Sequence, residues 1–149
     1  MDPTAQARQI LAANSYLTLA TADADGRPWS TPVWFAADDL HAFCWVSRPG
    51  ARHSVNVVVR PTVAITIFDS TVPSSEATAL YVEAEATEVE ANHRRAVLAV
   101  YNERSTARGL PEWTEEKVTP PAQFRLYRAI ASQVYVLDDH DQRVPVDKV

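Results

Sequence analysis

Ser47, Arg52 and His53 form the most distinctive chemical grouping in this sequence. They fall in the segment FCWVSRPGARHSVNVVVRP, residues 43–61, in which a hydrophobic run ends at the serine and a Pro-Gly turn leads to the basic pair. A hydroxyl, a guanidinium and an imidazole can each hydrogen-bond the oxygens of a phosphate group. If a helix begins at Arg52, two cations stand at its positive end, which is unfavourable unless an anion compensates them. These three residues, here named the phosphate cluster, therefore predict a compact phosphate site; the alternative is a solvated surface patch.

The elements that would position this cluster are mostly short β-strands joined by turns. Asp2 and Pro3 are typical of a helix start, and the run YLTLA alternates before the hairpin turn DADG. Residues 51–60 fit a short helix that Pro61 would end, although four valines lower its helix propensity. The remaining patterns predict helices at about 3–13 and 92–104, and strands at about 29–35, 41–47, 62–69, 79–90, 123–127 and 132–137. Six or seven strands of this kind favour an antiparallel sheet that closes into a barrel, because closure removes exposed edges.

Composition and charge narrow the class of protein. The 149 residues are 46% hydrophobic and 22% charged, which predicts a single globular domain, 1–149. The net charge of −5 argues against a nucleic-acid partner. No apolar run is long enough to predict a membrane span, and the start MDPTAQARQ is too polar to predict a signal peptide. Cys44 is the only cysteine, which predicts no disulfide and favours the cytoplasm. No metal site is predicted, because none of the histidines has a metal-binding spacing: His41, His53, His93 and His140.

Residues 15–90 carry an ordered set of short motifs. They are Ala20-Thr21, Gly26-Arg27-Pro28, Pro32-Val33-Trp34-Phe35, Ser47, Arg52-His53 and Arg60-Pro61. The set resembles the FMN-binding split-barrel family of pyridoxamine 5′-phosphate oxidase-like proteins, and the segment FRLYRAIASQVYVLD resembles it more weakly. The resemblance implies a mainly β fold with small helices, a six- to seven-stranded antiparallel split β-barrel. It also implies a homodimer that holds the flavin between its protomers.

The resemblance assigns roles to individual residues. The phosphate cluster would hold the phosphate of FMN. A strand along the isoalloxazine ring and one residue beside the cluster complete the implied cofactor-binding set: Ser30, Thr31, Pro32, Val33, Trp34 and Val46. Trp34 stands where some relatives have a lysine, so an apolar or stacking contact is expected there. Trp113 and Arg125 are candidates for the second protomer's contribution.

The resemblance implies an FMN-dependent oxidoreductase acting on a small organic substrate, with unassigned catalytic residues. The alternatives are a deazaflavin-dependent reductase and a non-catalytic protein that binds flavin or haem. Pyridoxamine phosphate is not the expected substrate, because the chain ends DDHDQRVPVDKV and lacks the Arg-Leu-His-type segment of the true oxidases. The chain has no serine elbow of the GxSxG type, so a bound cofactor would carry any chemistry.

Overall fold

The computed structural model describes residues 1–147 as one curled antiparallel sheet with three α-helices around it. The strands are β1 (Tyr16–Ala22), β2 (Pro28–Trp34), β3 (Ala36–Asp38), β4 (Ala42–Ser47), β5 (Thr62–Phe68), β6 (Ala79–Glu88), β7 (Arg125–Leu137) and β8 (Arg143–Val146). The helices are α1 (Pro3–Ala13), α2 (Arg52–Val59) and α3 (Ala91–Ala107). Within this part of the chain the strand order is β2-β1-β5-β6-β7-β4-β3, and β8 pairs with β7. The predicted fold class, a mainly β antiparallel split barrel with small helices, is confirmed.

The concave side of the sheet forms the main hydrophobic core. Leu17 and Leu19 of β1 are fully buried, and Thr18 between them lies on the opposite face of the sheet. In β6 the predicted alternation is confirmed, since Val82 is buried while Glu83 and Glu85 are exposed. Period-two alternation of this kind is what fixes one face of a strand to the core.

Two strand predictions were incomplete. The segments 123–127 and 132–137 belong to one long strand, β7, because a register shift opposite Glu83 and Ala84 absorbs the irregularity without ending the pairing. The short strands β3 and β8 were not predicted, since three or four residues carry too little alternation to be recognised. The aspartate-rich turn at 138–142 therefore leads into β8.

The helices begin and end close to their predicted limits. The Asp2 side chain accepts a hydrogen bond from the backbone N–H of Ala5 at 3.0 Å and caps α1. In α3 the buried face includes Val97, Leu98 and Tyr101, whereas Ala96 is exposed. No helix within residues 1–147 is both long and apolar enough to cross a membrane.

Helix α2 forms despite its valines because it packs on the sheet. Val57 is 2% exposed and joins the main core, and Ser54 and Asn56 are buried beside it. Tertiary burial therefore outweighs the weak helix propensity of β-branched residues. The helix ends at Val59, before Pro61, as the sequence predicted.

Candidate phosphate-binding site

The phosphate cluster lies where β4 passes into α2. Ser47 is the last residue of β4, and α2 begins at Arg52 after a tight turn in which the N–H of Ala51 donates to the carbonyl of Arg48 at 3.1 Å. Ser47 Oγ and His53 Nε2 lie 2.8 Å apart, a hydrogen bond whose direction is set by the histidine tautomer. The predicted strand-to-helix junction is confirmed, and it brings the hydroxyl and the imidazole into contact.

The first turn of α2 offers further donors. Its N-cap residue is Ala51, whose side chain makes no capping hydrogen bond to the backbone N–H groups of this turn. Such groups and the helix dipole attract an anion. The turn therefore presents hydrogen-bond donors beside the Ser47 hydroxyl.

Arg52 reaches across to the neighbouring strand. Its guanidinium carbon lies 4.3 Å from the centroid of the Trp29 ring, at the start of β2, in a cation–π contact. Trp29 is 40% exposed and Arg52 is exposed, so this pair forms an open rim near the beginning of α2. Trp29 was not among the predicted site residues, and its separation of 23 residues from Arg52 leaves no local signal for the contact.

The electrostatics of the cluster favour binding of an anion. Burial lowers the pKa of His53, so its imidazole is neutral near pH 7. The pKa of Asp23 lies below its usual range, chiefly because its carboxylate accepts a hydrogen bond from the backbone N–H of Arg27. The charges of Arg27 and Arg52 add to this effect. Asp23 is half-buried in the β1–β2 turn, and water partly screens its charge. An arriving phosphate would meet one guanidinium and an imidazole that can take up a proton.

A buried polar contact ties α2 to the β1–β2 hairpin. Asn56 Nδ2 donates to Thr21 Oγ1 at 3.0 Å, and both side chains are buried. Thr21 is paired in register with Trp29, whose ring lies under Arg52. The hydrogen bond therefore fixes the helix relative to the strand that carries the aromatic wall of the site.

The remaining predicted residues follow β2, which lies at one end of the strand order. In the described chain β2 pairs only with β1, so its other edge carries unpaired backbone groups. Ser30 and Pro32 are exposed and Thr31 is half-buried, whereas Val33 is 7% exposed and belongs to the core. Trp34 packs edge-to-face on Tyr101 of α3, with ring centroids 5.4 Å apart. At Val33 the side chain lies in the core, and the register directs the backbone N–H and C=O toward β1.

The remaining candidates, Val46, Arg125 and Trp113, make contacts with neighbouring residues of the protein. Val46 is half-buried and packs on the second core, formed around α3. Arg125 lies opposite Ser47 in the β4–β7 register, and its Nη1 donates to the carbonyls of Ala122 and Phe124 at 2.6 Å each. Trp113 packs edge-to-face on the Phe124 ring at 5.4 Å. Arg125 is thus close to the cluster along the sheet, but its guanidinium braces a loop.

The large clefts of the molecule lie away from the phosphate cluster. One of about 390 Å³ opens between α1 and α3, and one of about 400 Å³ lies beside the turn at residues 138–141. In the phosphate cluster Arg52 is exposed, His53 is half-buried and Ser47 is buried. Within residues 1–147 no group of three or more histidine, cysteine, aspartate or glutamate side chains is arranged to hold a metal ion.

Comparisons with known proteins agree with this architecture. The family model described as pyridoxamine 5′-phosphate oxidase matches residues 3–138. HutZ, the haem storage protein of Vibrio cholerae, has 24% sequence identity and a TM-score of 0.70, over 91% of this chain and 95% of that one. A haem-binding protein from Mycobacterium smegmatis has 17% identity and a TM-score of 0.74, over 99% of this chain and 59% of that one. An F420 reductase has 22% identity and a TM-score of 0.61, over 85% and 94%. These structural similarities show a shared fold. A separate comparison with curated proteins found no match.

Proposed function

We propose a function from the premise that the chain belongs to the pyridoxamine 5′-phosphate oxidase family, which the match over residues 3–138 shows. The protein binds FMN and acts as an oxidoreductase on a small organic substrate. When bound, FMN supplies hydride or electron transfer that the side chains of the protein cannot provide. The observation that carries the proposal is the 2.8 Å contact between Ser47 and His53 beside the uncapped first turn of α2.

The donor set of the phosphate cluster fits a phosphate group. Ser47 and the N–H groups of the first turn donate neutral hydrogen bonds, and Arg52 adds a permanent charge with a planar arrangement of donors. His53 takes up a proton when a dianion arrives, because the negative charge offsets the burial that keeps the imidazole neutral. The described salt bridges do not include Arg52, so its charge is available to a ligand.

The free edge of β2 would orient the flavin ring. The Phe35 N–H donates to the Ser15 carbonyl, and in this register the backbone groups of Thr31 and Val33 also bond to β1. The free edge therefore carries the N–H and C=O of Ser30 and the C=O of Pro32, which has no N–H to donate, and these groups match the polar edge of an isoalloxazine. Trp34 would serve as an apolar neighbour at the far end of this strand, held in place by Tyr101. Ring position and phosphate position are then fixed by the same hairpin and helix.

A second copy of the chain would complete the site. The outward side of β1, β2 and β5 carries no charged residue and is here named the neutral face: Tyr16, Thr18, Ala20, Ala22, Ser30, Pro32, Thr62, Ala64, Thr66 and Phe68. Tyr16 is 59% and Phe68 50% exposed, which is a large apolar exposure for a sheet surface. Glu83 and Glu85 on the adjoining strand border it. An uncharged face with a charged border is the pattern of a protein interface.

Two alternatives use the same fold. The first is a deazaflavin coenzyme, which is suggested by the structural similarity to an F420 reductase. Its extended acidic tail needs more cationic side chains than this compact cluster provides. Haem, which two neighbours bind or store, needs an axial ligand, and His53 is the half-buried histidine at the site. The cluster of hydroxyl, guanidinium and helix N–H groups favours a phosphate over either.

The test is to identify what copurifies with the protein. The expected result is a yellow protein whose released chromophore has the mass of FMN and which bleaches with NADH or NADPH in the absence of oxygen. A Soret band would instead identify a haem protein, and the mass of a deazaflavin would identify the other reductase. Protein that carries no flavin and gains none on incubation with FMN would contradict the proposal. Bound FMN that no reductant bleaches would limit the protein to cofactor binding.

A further inference from the structure

The cleft of about 390 Å³ between α1 and α3, here named the α1–α3 cleft, contains an arginine with an unused donor. Its walls include Leu11 of α1, Val100 and Ala107 of α3, and Arg104. Leu11 is largely buried and Val100 half-buried, so the walls near them are apolar. A cavity of this size suits a small organic molecule rather than a cofactor with a phosphate tail.

The contacts of Arg104 account for its Nη2 donor but not for its Nε donor. Its Nη2 donates to the carbonyls of Leu11 at 3.0 Å and Asn14 at 2.6 Å, and thereby caps the end of α1. Its Nε is buried and has no hydrogen-bond partner in the described chain. Buried donors are nearly always satisfied, and an exception calls for an explanation such as an absent ligand.

Arg104 also has no anionic partner among the described residues. The carbonyls at the end of α1 are its only acceptors there, and Asp39, which also lines the cleft, is bound to Arg8 at 2.9 Å. Glu103 lines the cleft as well, but its side chain is exposed and its charge is screened by water. Burial and the nearby Arg108 lower the pKa of Arg104, as expected for a cation that lacks an anion. A half-buried cation is stabilised when a negative group supplies the missing hydrogen bonds.

We propose that the α1–α3 cleft is a second binding site, which takes a small monocarboxylic acid with a short apolar chain. The carboxylate hydrogen-bonds Arg104, and the chain packs on Leu11 and Val100. The site is separate from the phosphate cluster and does not depend on the identity of the cofactor.

Hexanoate, hexanol and hexylamine form a matched set of probes for this cleft. Isothermal titration calorimetry on the purified protein should show hexanoate binding about 10- to 100-fold more tightly than hexanol, the gain expected from charge-assisted hydrogen bonds. Hexylamine should not bind detectably, since its cation would face Arg104. Equal binding of hexanoate and hexanol, or no binding of hexanoate, would overturn the proposal.

Three variants locate the binding site. Ala107→Trp at the exposed end of α3 should fill the cleft and abolish hexanoate binding, whereas Ala91→Trp at the exposed start of the same helix should leave it unchanged. Arg104→Lys retains the charge but loses the Nε donor, and should weaken hexanoate about tenfold while hexanol is unaffected. Unchanged hexanoate affinity in Ala107→Trp would place binding elsewhere and refute the site. Circular dichroism checks that each variant is folded.

Discussion

Replacing Arg52 by alanine tests the cofactor site through a single charge. The Arg52 guanidinium lies 4.3 Å from the Trp29 ring centroid, a contact that contributes about 0.5–1 kcal/mol at exposed positions and is present with or without ligand. A hydrogen bond between the guanidinium and a phosphate contributes about 1.5–3 kcal/mol. Arg52→Ala should therefore raise the Kd for FMN about 10- to 150-fold, with the lower part of that range favoured because Arg52 is exposed.

The measurement compares two ligands and two variants. Protein freed of cofactor is titrated with FMN and with riboflavin, which lacks the phosphate, and binding is followed by quenching of flavin fluorescence. Arg52→Ala should weaken FMN and leave riboflavin unchanged. Arg60→Ala is the matched control, because Arg60 stands at the opposite end of α2, where its guanidinium donates to the Ala24 carbonyl at 3.1 Å. Equal losses for the two ligands, or equal losses of FMN in the two variants, would refute phosphate binding at this helix start.

Further predictions concern protonation, assembly and the buried thiol. Burial lowers the pKa of His53, so the imidazole must take up a proton when the phosphate binds, and FMN affinity should fall as the pH rises from about 6.5 to 8.5. His53→Lys stays charged and should show a flat profile in the same titration. A flat wild-type profile would exclude proton uptake by this imidazole. Ala64→Arg places a charge on the neutral face and should convert a dimer to monomers in sedimentation velocity, unlike Ala91→Arg on α3; a persisting dimer would show that the neutral face is not the interface. Burial raises the pKa of the Cys44 thiol to about 12, so a thiol reagent should label it only after denaturation, and rapid labelling of native protein would contradict the buried position.

The pH dependence of stability has a definite sign at His53. In the unfolded chain the pKa of His53 is about 6.5, and in the folded protein it is lower because the imidazole is buried. As the pH falls below the unfolded pKa, the unfolded chain therefore binds a proton before the folded one does. The stability contributed by the neutral imidazole is complete above that pH and is lost as the pH falls through the folded pKa.

Local pattern was sufficient for much of the fold and for part of the site. The start of α1 at Pro3, the hairpin at Gly26, the alternation of β6 and the junction from Ser47 to Arg52 all depend on residues close together in the chain. Ser47 and His53 are six residues apart, so a strand followed by a tight turn and a helix is enough to bring them together. The spacing of apolar residues and the positions of turn and capping residues are local properties, so they can be recognised in a single sequence.

Contacts between distant segments were decided only by the tertiary structure. The placement of Trp29 under Arg52 depends on the β1–β2 register and on the packing of α2 against that hairpin. The capping of α1 by Arg104 joins residues 90 or more positions apart and places this arginine in the wall of the α1–α3 cleft. Alternation tells which face of a strand is buried, but it does not tell which strands become neighbours, because many pairings bury the same faces. The choice among them is made by the packing of the whole core, and with it the walls of both proposed sites.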